Sequence, residues 1–251
     1  MAGRTFATGD IHGDLGALLR VEAQLPELDE GDTLVYLGDY LDRGPCSAQV
    51  VDHIRSMPRR TKARVVALRG NHEDAWLRVI DQGWPEFVIP PGHGCREAME
   101  SYVGKLPSPL DDELMEALLT GSFFPSDVVA WMRGLPYYYE DEHGIYVHAG
   151  LMRIGDDFAH PDEVENVTAL LWHRNQDFFR NYRGKRVVFG HTVTEYLPEE
   201  LSSYTPEDPS DMWAGPATIG IDTGAGKGGL LTTIELPSMR VYESRARGRS
   251  E

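Results

Sequence analysis

Short apolar segments alternate with segments of helical periodicity in the first third of the chain. Three apolar runs predict buried strands, at Thr5–Thr8, 33–37 and 64–68. Apolar residues at intervals of three and four predict the intervening helices, at 15–25, 47–57 and 73–80. This βαβαβα order favours an α/β fold with a parallel sheet and right-handed crossovers.

Residues 84–136 interrupt this alternation and are predicted to form a helical insertion, with helices at 97–103 and 111–119. The second half is richer in predicted strands. We expect a hairpin around the turn at 141–144, a helix near 161–172, and strands at 186–189, 217–221, 230–236 and 240–243. The organisation predicted is one domain over residues 1–243, followed by a disordered tail at 244–251.

Composition narrows the classes of function. The 251 residues are 41% hydrophobic, which is enough to bury a sizeable core. A net charge of −16 disfavours nucleic acid and anionic membranes as partners, so phosphate chemistry would need a local cationic site. The start of the chain has no signal-peptide pattern, and two cysteines, Cys46 and Cys95, are too few for a disulfide framework. We therefore expect a soluble, cytoplasmic protein with reduced thiols.

Glycine and polar residues follow predicted strands at five places: GDIHGD (9–14), GDYLDRG (38–44), RGNHE (69–73), HAG (148–150) and GHT (190–192). Ligands of open α/β sheets bind at the carboxyl ends of the strands, so these motifs should converge. Carboxylates and imidazoles without a thiolate suit Mn, Fe or Zn, and one aspartate can bridge two cations. The motifs together therefore predict a two-metal site.

In this combination and order, the five motifs resemble those of the calcineurin-like metallophosphoesterases, and specifically the phosphoprotein phosphatase branch that holds the lambda phage phosphatase and related bacterial enzymes. The resemblance covers roughly residues 5–225. It implies a layered α/β/β/α fold in which two mixed β-sheets are flanked by helices. It also implies two divalent metal ions, with Mn²⁺ expected and Fe or Zn as alternatives.

The resemblance assigns roles to individual residues. Asp10 and His12 would bind the first metal, Asp39 would bridge both, and the second metal would be held by Asn71, His148 and His191. His72 would be the general acid, oriented by Asp42. The phosphate would be held by Arg43, Arg69 and Arg174, the last matched through LLWHRN (170–175). Arg69 could instead brace its loop through backbone carbonyls.

The residue types agree with these roles. The side-chain carbonyl of Asn71 binds a cation without adding negative charge beside a phosphate. A carboxylate such as Asp42 favours the charged imidazolium of His72, which makes it a competent acid. The expected reaction is direct attack of a metal-bridging hydroxide on phosphorus, without a covalent phosphoenzyme.

Three functions remain as alternatives. The leading one is hydrolysis of phosphomonoesters, most of all phosphoserine and phosphothreonine of proteins and also phosphotyrosine or small phosphate esters. The second is symmetrical hydrolysis of diadenosine tetraphosphate or related dinucleotides; Asp42 and Glu73, which differ from the pattern of those enzymes, favour the first. The third, a non-catalytic phosphate-binding scaffold, predicts lost metal ligands, and all six are present. The oligomeric state is not predicted.

Two further features receive no catalytic role. DTGAGKGG (222–229) lacks the first glycine and the Ser or Thr of a Walker motif, and we expect a loop near the site. Five histidines lie outside the motifs and are expected in loops or at the surface: His53, His93, His143, His160 and His173.

Overall fold

The first sheet grows from the three apolar runs near the start of the chain. In the computed structural model, which describes residues 3–204 and 211–245, these runs pair in parallel, and two antiparallel strands from the end of the chain extend the sheet. The strands are β1 (Thr5–Thr8), β2 (Thr33–Tyr36), β3 (Arg64–Ala67), β11 (Thr232–Leu236) and β12 (Arg240–Glu243), in the spatial order β12-β11-β1-β2-β3. The predicted parallel sheet is confirmed.

The second sheet is also mixed, with a parallel centre and antiparallel edges. Its strands are β4 (Tyr138–Glu140), β5 (Ile145–Val147), β8 (Val187–Phe189), β9 (Trp213–Ala214) and β10 (Thr218–Gly220), in the order β4-β5-β8-β10-β9. The expected hairpin is the β4–β5 pair. A separate two-stranded ribbon joins β6 (Arg153–Ile154) to β7 (Asp157–Phe158).

The two sheets pack face to face, and helices cover their outer faces. Val35 and Val66 of the first sheet belong to the same buried cluster as Tyr146 and Val188 of the second. The helices over the first sheet are α1 (Leu15–Glu22), α2 (Ser47–Ser56) and α3 (Asn71–Gln82), and those over the second are α8 (Thr168–Trp172) and α9 (Gln176–Asn181). The layered α/β/β/α fold with two mixed sheets is therefore confirmed.

Residues 84–136 are helical and pack on α3 beside the carboxyl end of the first sheet. Trp76 of α3 contacts Phe124 and Phe87 of this region, with ring centroids 5.0 and 6.0 Å apart. The helices are α4 (Pro85–Val88), α5 (Cys95–Val103), α6 (Asp112–Thr120) and α7 (Ser126–Gly134). Sequence periodicity predicted α5 and α6 and missed two other helices, the single-turn α4 and the nine-residue α7.

The expected helix near 161–172 is divided in two. A 3₁₀ turn covers Pro161–Glu163, and α8 begins five residues later, at Thr168. Asn166 interrupts the helix because its side-chain oxygen accepts a hydrogen bond from the backbone N–H of Thr168, at 3.0 Å. The prediction of one continuous helix was therefore wrong.

The last strand, β12, ends at Glu243, where the tail was predicted to begin. Ser244 is buried, and its backbone N–H donates to the carbonyl of Leu231 at 2.9 Å. The remainder of the predicted tail, residues 246–251, lies outside the described residues. The single domain over residues 1–243 stays a prediction, with which the core shared by the two sheets agrees. Within residues 3–204 and 211–245, the structure contains no helix with the length and apolar character needed to span a membrane.

Candidate active site

Five loops at the carboxyl ends of parallel strands bring the six predicted metal ligands together. They follow β1, β2, β3, β5 and β8, as the strand order of the two sheets requires. All six side chains are at most 5% exposed: Asp10, His12, Asp39, Asn71, His148 and His191. Two groups of side chains have ligand atoms close enough to share one cation, His12–Asp39–His72 and Asp10–Asp39–His148, and Asp39 belongs to both groups.

The loops hold an unusual backbone conformation at this site. Five non-glycine residues have φ between 45° and 70°, in the left-handed region: His12, Asp39, Asp42, Arg43 and His191. Among the other non-glycine residues that the structure describes, Met239 alone does so. Such conformations cost about 1–3 kcal/mol each and persist where surrounding contacts impose them, typically at functional sites. Here the backbone N–H of His12 donates to the carbonyl of Asp39 at 2.8 Å, which ties the first two loops together.

The ring of His148 shows that a cation fits between the ligands. Nδ1 lies 2.9 Å from the carbonyl oxygen of Leu37, which can only accept, so Nδ1 carries the hydrogen. Burial lowers the pKa of His148, which leaves a lone pair on Nε2. That lone pair faces two oxygens, Asn71 Oδ1 at 2.9 Å and Asp39 Oδ1 at 3.5 Å. Three electron-pair donors that converge without a proton between them form a site for a metal ion.

His12 is held in the same way on the other side of Asp39. Its Nδ1 donates to the carbonyl of Leu41 at 2.9 Å, and burial lowers its pKa well below the usual value. Its Nε2 therefore presents a lone pair to Asp39 Oδ2, at 3.3 Å, and to Asp10 Oδ2, at 3.9 Å. The donor set again suits a divalent cation, and Asp39 lies between the two candidate sites.

The buried carboxylates also favour a cation. Burial raises the pKa of Asp10 well above its usual value, and the charges of Asp222 and Asp39 raise it further. A divalent cation at this place would reverse that effect, because it stabilises ionised ligands. His191 supports the same conclusion: its Nδ1 lies 2.7 Å from Asn71 Oδ1, and its buried Nε2 has no partner among residues 3–204 and 211–245.

His72 and Asp42 form a buried pair beside the metal ligands. Nδ1 of His72 donates to Asp42 Oδ2 at 2.6 Å, and Trp76 Nε1 donates to Asp42 Oδ1 at 2.9 Å. Burial alone would lower the pKa of His72, but the charge of Asp39 and the hydrogen bond to Asp42 outweigh it and raise the pKa. The ring therefore keeps its proton to higher pH than an ordinary histidine, as a general acid must.

Glu73, the next residue, holds the backbone of two loops that carry metal ligands. Its Oε2 accepts hydrogen bonds from the backbone N–H groups of Asp39 and Gly70, and its Oε1 from that of Tyr40, each at 2.9 Å. Burial raises the pKa of Glu73 to about 7, and the charge of Asp39 contributes. The side chain is fully buried, so Glu73 acts through the second and third loops and does not face a substrate.

The three predicted phosphate-binding arginines have different surroundings. Arg43 hydrogen-bonds to His12 Nε2, and its Nη2 lies 3.4 Å from His72 Nε2, so its guanidinium faces the centre of the site. Arg174 lies at the edge of the centre, where Nη2 is 3.5 Å from the carbonyl of His191. Arg69 instead donates to the carbonyl of Arg133 at 2.7 Å and to the hydroxyl of Tyr137 at 2.9 Å. The bracing role that the sequence left open for Arg69 agrees with this geometry.

Two features outside the five motifs also reach the site. The loop 222–229 lies against the first motif, as predicted: a Cβ on Gly226 would come within 2.5 Å of the carbonyl oxygen of His12. His93 was expected at the surface or in a loop, but its half-buried ring lies beside that of His72, with centroids 6.4 Å apart. No spacing in the sequence relates His93 to the motifs, so sequence analysis could not have found it.

Comparison with known proteins agrees with this fold. Residues 3–195 match the family model of the calcineurin-like phosphoesterases, and the chain belongs to that family. This is a family of phosphoric ester hydrolases that bind two divalent metal ions, and the predicted relationship is thereby confirmed.

Individual relatives carry different names. The chain is 26% identical to the asymmetrical bis(5′-nucleosyl)-tetraphosphatase PrpE of Geobacillus sp. (strain WCH70), over 92% of this chain and 89% of that protein. It is 38% identical to a "Putative serine/threonine-protein phosphatase" of Caenorhabditis elegans, over 77% of this chain and 49% of the nematode protein. The crystal structure of "a putative diadenosine tetraphosphatase" has the same fold, with a TM-score of 0.57 and 23% identity over 100% of this chain and 96% of that one.

Proposed function

We propose that the protein is a two-metal phosphatase that hydrolyses phosphomonoesters, chiefly phosphoserine and phosphothreonine in proteins. The observation that carries the proposal is the buried His72–Asp42 pair, with its 2.6 Å hydrogen bond and the raised pKa of His72. An alkoxide is a poor leaving group and needs a proton in the transition state, whereas a nucleotide leaves a phosphoanhydride as a stable anion. A general acid that keeps its proton at neutral pH therefore contributes most to ester cleavage.

The residues of the site have separate tasks in this reaction. Asp10, His12 and Asp39 would hold one cation, and Asp39, Asn71, His148 and His191 the other. When bound, the two cations supply Lewis-acid activation of water and neutralise charge on the phosphate. Arg43 and Arg174 orient the phosphoryl oxygens, and His72 donates its proton to the departing oxygen while Asp42 holds the ring.

The second candidate is hydrolysis of dinucleoside polyphosphates. It is favoured by the name of the Geobacillus relative, which matches nearly the whole chain. That relative is named as an asymmetrical hydrolase, which differs from the symmetrical reaction expected from the sequence. The nematode relative supports the first candidate over a shorter region. The preference for Mn²⁺ and the cytoplasmic location stay predictions.

One assay separates these candidates. Metal-stripped protein, with and without added Mn²⁺, is tested on a phosphoserine peptide, para-nitrophenyl phosphate and diadenosine tetraphosphate, with Asp39→Asn as the control that should lose metal. We expect Mn²⁺-dependent release of phosphate from the peptide and the aryl ester. A large preference for the dinucleotide would overturn the substrate assignment. Absence of metal-dependent turnover on all three substrates would overturn the enzyme assignment.

A further inference from the structure

His93 stands on the side of the site where the general acid lies. It follows α4 in the chain, and its ring meets that of His72 edge to face, with centroids 6.4 Å apart and planes at 78°. The ring of Phe87 contacts both histidines, with centroid distances of 5.4 Å to His72 and 5.1 Å to His93. The three rings form one wall of the site, from the buried acid to the partly exposed His93.

Two contacts fix the ring of His93 in this wall. Its Nδ1 lies 2.6 Å from the carbonyl oxygen of Phe87, so Nδ1 carries a hydrogen and donates it. The next residue, Gly94, is left-handed with a φ of 76°, and a Cβ there would lie 2.0 Å from the backbone nitrogen of Arg43. Only glycine allows this approach, which holds the segment directly on the backbone of Arg43.

The other ring nitrogen of His93 is left for a ligand. Within residues 3–204 and 211–245, no group forms a hydrogen bond with Nε2, and the ring is half-buried. Since Nδ1 donates its hydrogen to the carbonyl oxygen of Phe87, Nε2 is the ring nitrogen that is left to accept a hydrogen bond. Nε2 can therefore accept a hydrogen bond from a donor group on a bound substrate.

We propose that His93 binds the leaving-group side of the substrate, where its Nε2 accepts a hydrogen bond from a backbone N–H of a phosphorylated peptide. His72 gives its proton to the leaving oxygen, so a group beside His72 faces the leaving group. In a phosphoserine, three bonds separate the backbone nitrogen from the leaving oxygen. The two atoms are therefore close enough to contact His93 and His72 at the same time, since the centroids of these rings are 6.4 Å apart. This inference rests on the proposed function and names a residue that selects peptides.

The test combines one variant with one modified substrate. In His93→Asn the side-chain amide nitrogen takes the place of Nδ1 and can still donate to the carbonyl of Phe87, but nothing replaces Nε2. The substrates are a phosphoserine peptide and the same peptide N-methylated at the phosphoserine, which removes the N–H. His160→Asn is the matched control, because His160 is also half-exposed and its ring pairs with Glu140 away from the metal ligands.

We expect His93→Asn to lower kcat/KM on the parent peptide about 3- to 10-fold, the effect of one net hydrogen bond. N-methylation should lower kcat/KM of the native enzyme, and on that peptide the variant should lose little more, because both changes remove the same bond. Equal losses on the two peptides, or no loss on the parent peptide, would refute the role of His93 while leaving the proposed function intact. If the native enzyme with Mn²⁺ does not turn over the parent peptide, both proposals fail.

Discussion

Replacing Asp42 by asparagine tests the general acid most directly. The substitution keeps the shape of the side chain and removes its charge. In the native protein the carboxylate accepts from both His72 Nδ1 and Trp76 Nε1. An asparagine side chain has one acceptor oxygen, so its amide group must face one of these two donors. The charge-assisted hydrogen bond that helps to raise the pKa of His72 is lost in either orientation.

The size of the effect follows from that bond. A hydrogen bond to a charged group contributes about 1.5–3 kcal/mol, and one pKa unit corresponds to about 1.4 kcal/mol. We therefore expect the pKa of His72 to fall, because the hydrogen bond to Asp42 is among the causes that raise it. Because the raised pKa keeps the acid protonated as pH increases, its loss moves the alkaline limb of kcat to lower pH. At neutral pH the rate on an alkyl phosphate should fall about 10- to 100-fold.

The measurement is kcat as a function of pH on a phosphoserine peptide and on para-nitrophenyl phosphate, with metal content checked for every sample. The aryl ester should be less affected, because nitrophenolate leaves without a proton. Trp76→Phe is the control: it keeps the His72–Asp42 bond and should shift the limb less than Asp42→Asn does. An unchanged alkaline limb in Asp42→Asn, or equal losses on both esters with full metal content, would refute the role of Asp42 in holding the proton on His72.

Three further substitutions test the support of the site and the binding of phosphate. Glu73→Ala leaves three buried N–H groups without their acceptor. We expect the free energy of unfolding, measured in urea, to fall by about 3 kcal/mol or more. A loss under about 1 kcal/mol would contradict the bracing role of Glu73. Arg43→Ala should raise the inhibition constant of orthophosphate about tenfold or more, which is the effect of one charge-assisted hydrogen bond. Arg69→Ala should raise this constant less and should lower the stability of the protein instead, since Arg69 is hydrogen-bonded to Arg133 and Tyr137. An equal rise in both variants would show that Arg69 holds phosphate.

Periodicity and motifs were sufficient for the elements that carry the site. β1, β2 and β3 have a simple apolar pattern, and each ends in a glycine with polar residues, which indicated both the parallel sheet and the edge where ligands meet. Helix α4 and the break near Asn166 were missed because a single turn, or one side chain that accepts a backbone hydrogen bond, leaves no periodic signal.

The candidate ligands could be named from the sequence because the five motifs together resemble those of a known family, and each motif lies within a few residues. What those residues contact was decided by the tertiary structure. Arg69 is bonded to a carbonyl 64 residues away, and Glu73 reaches the loop of Asp39, which lies 34 residues earlier. His93 lies beside His72 because α4 and Gly94 fold the intervening chain against Arg43. Local patterns determine the type of side chain at a strand end, whereas the packing of distant segments determines where each side chain points and which partners it meets.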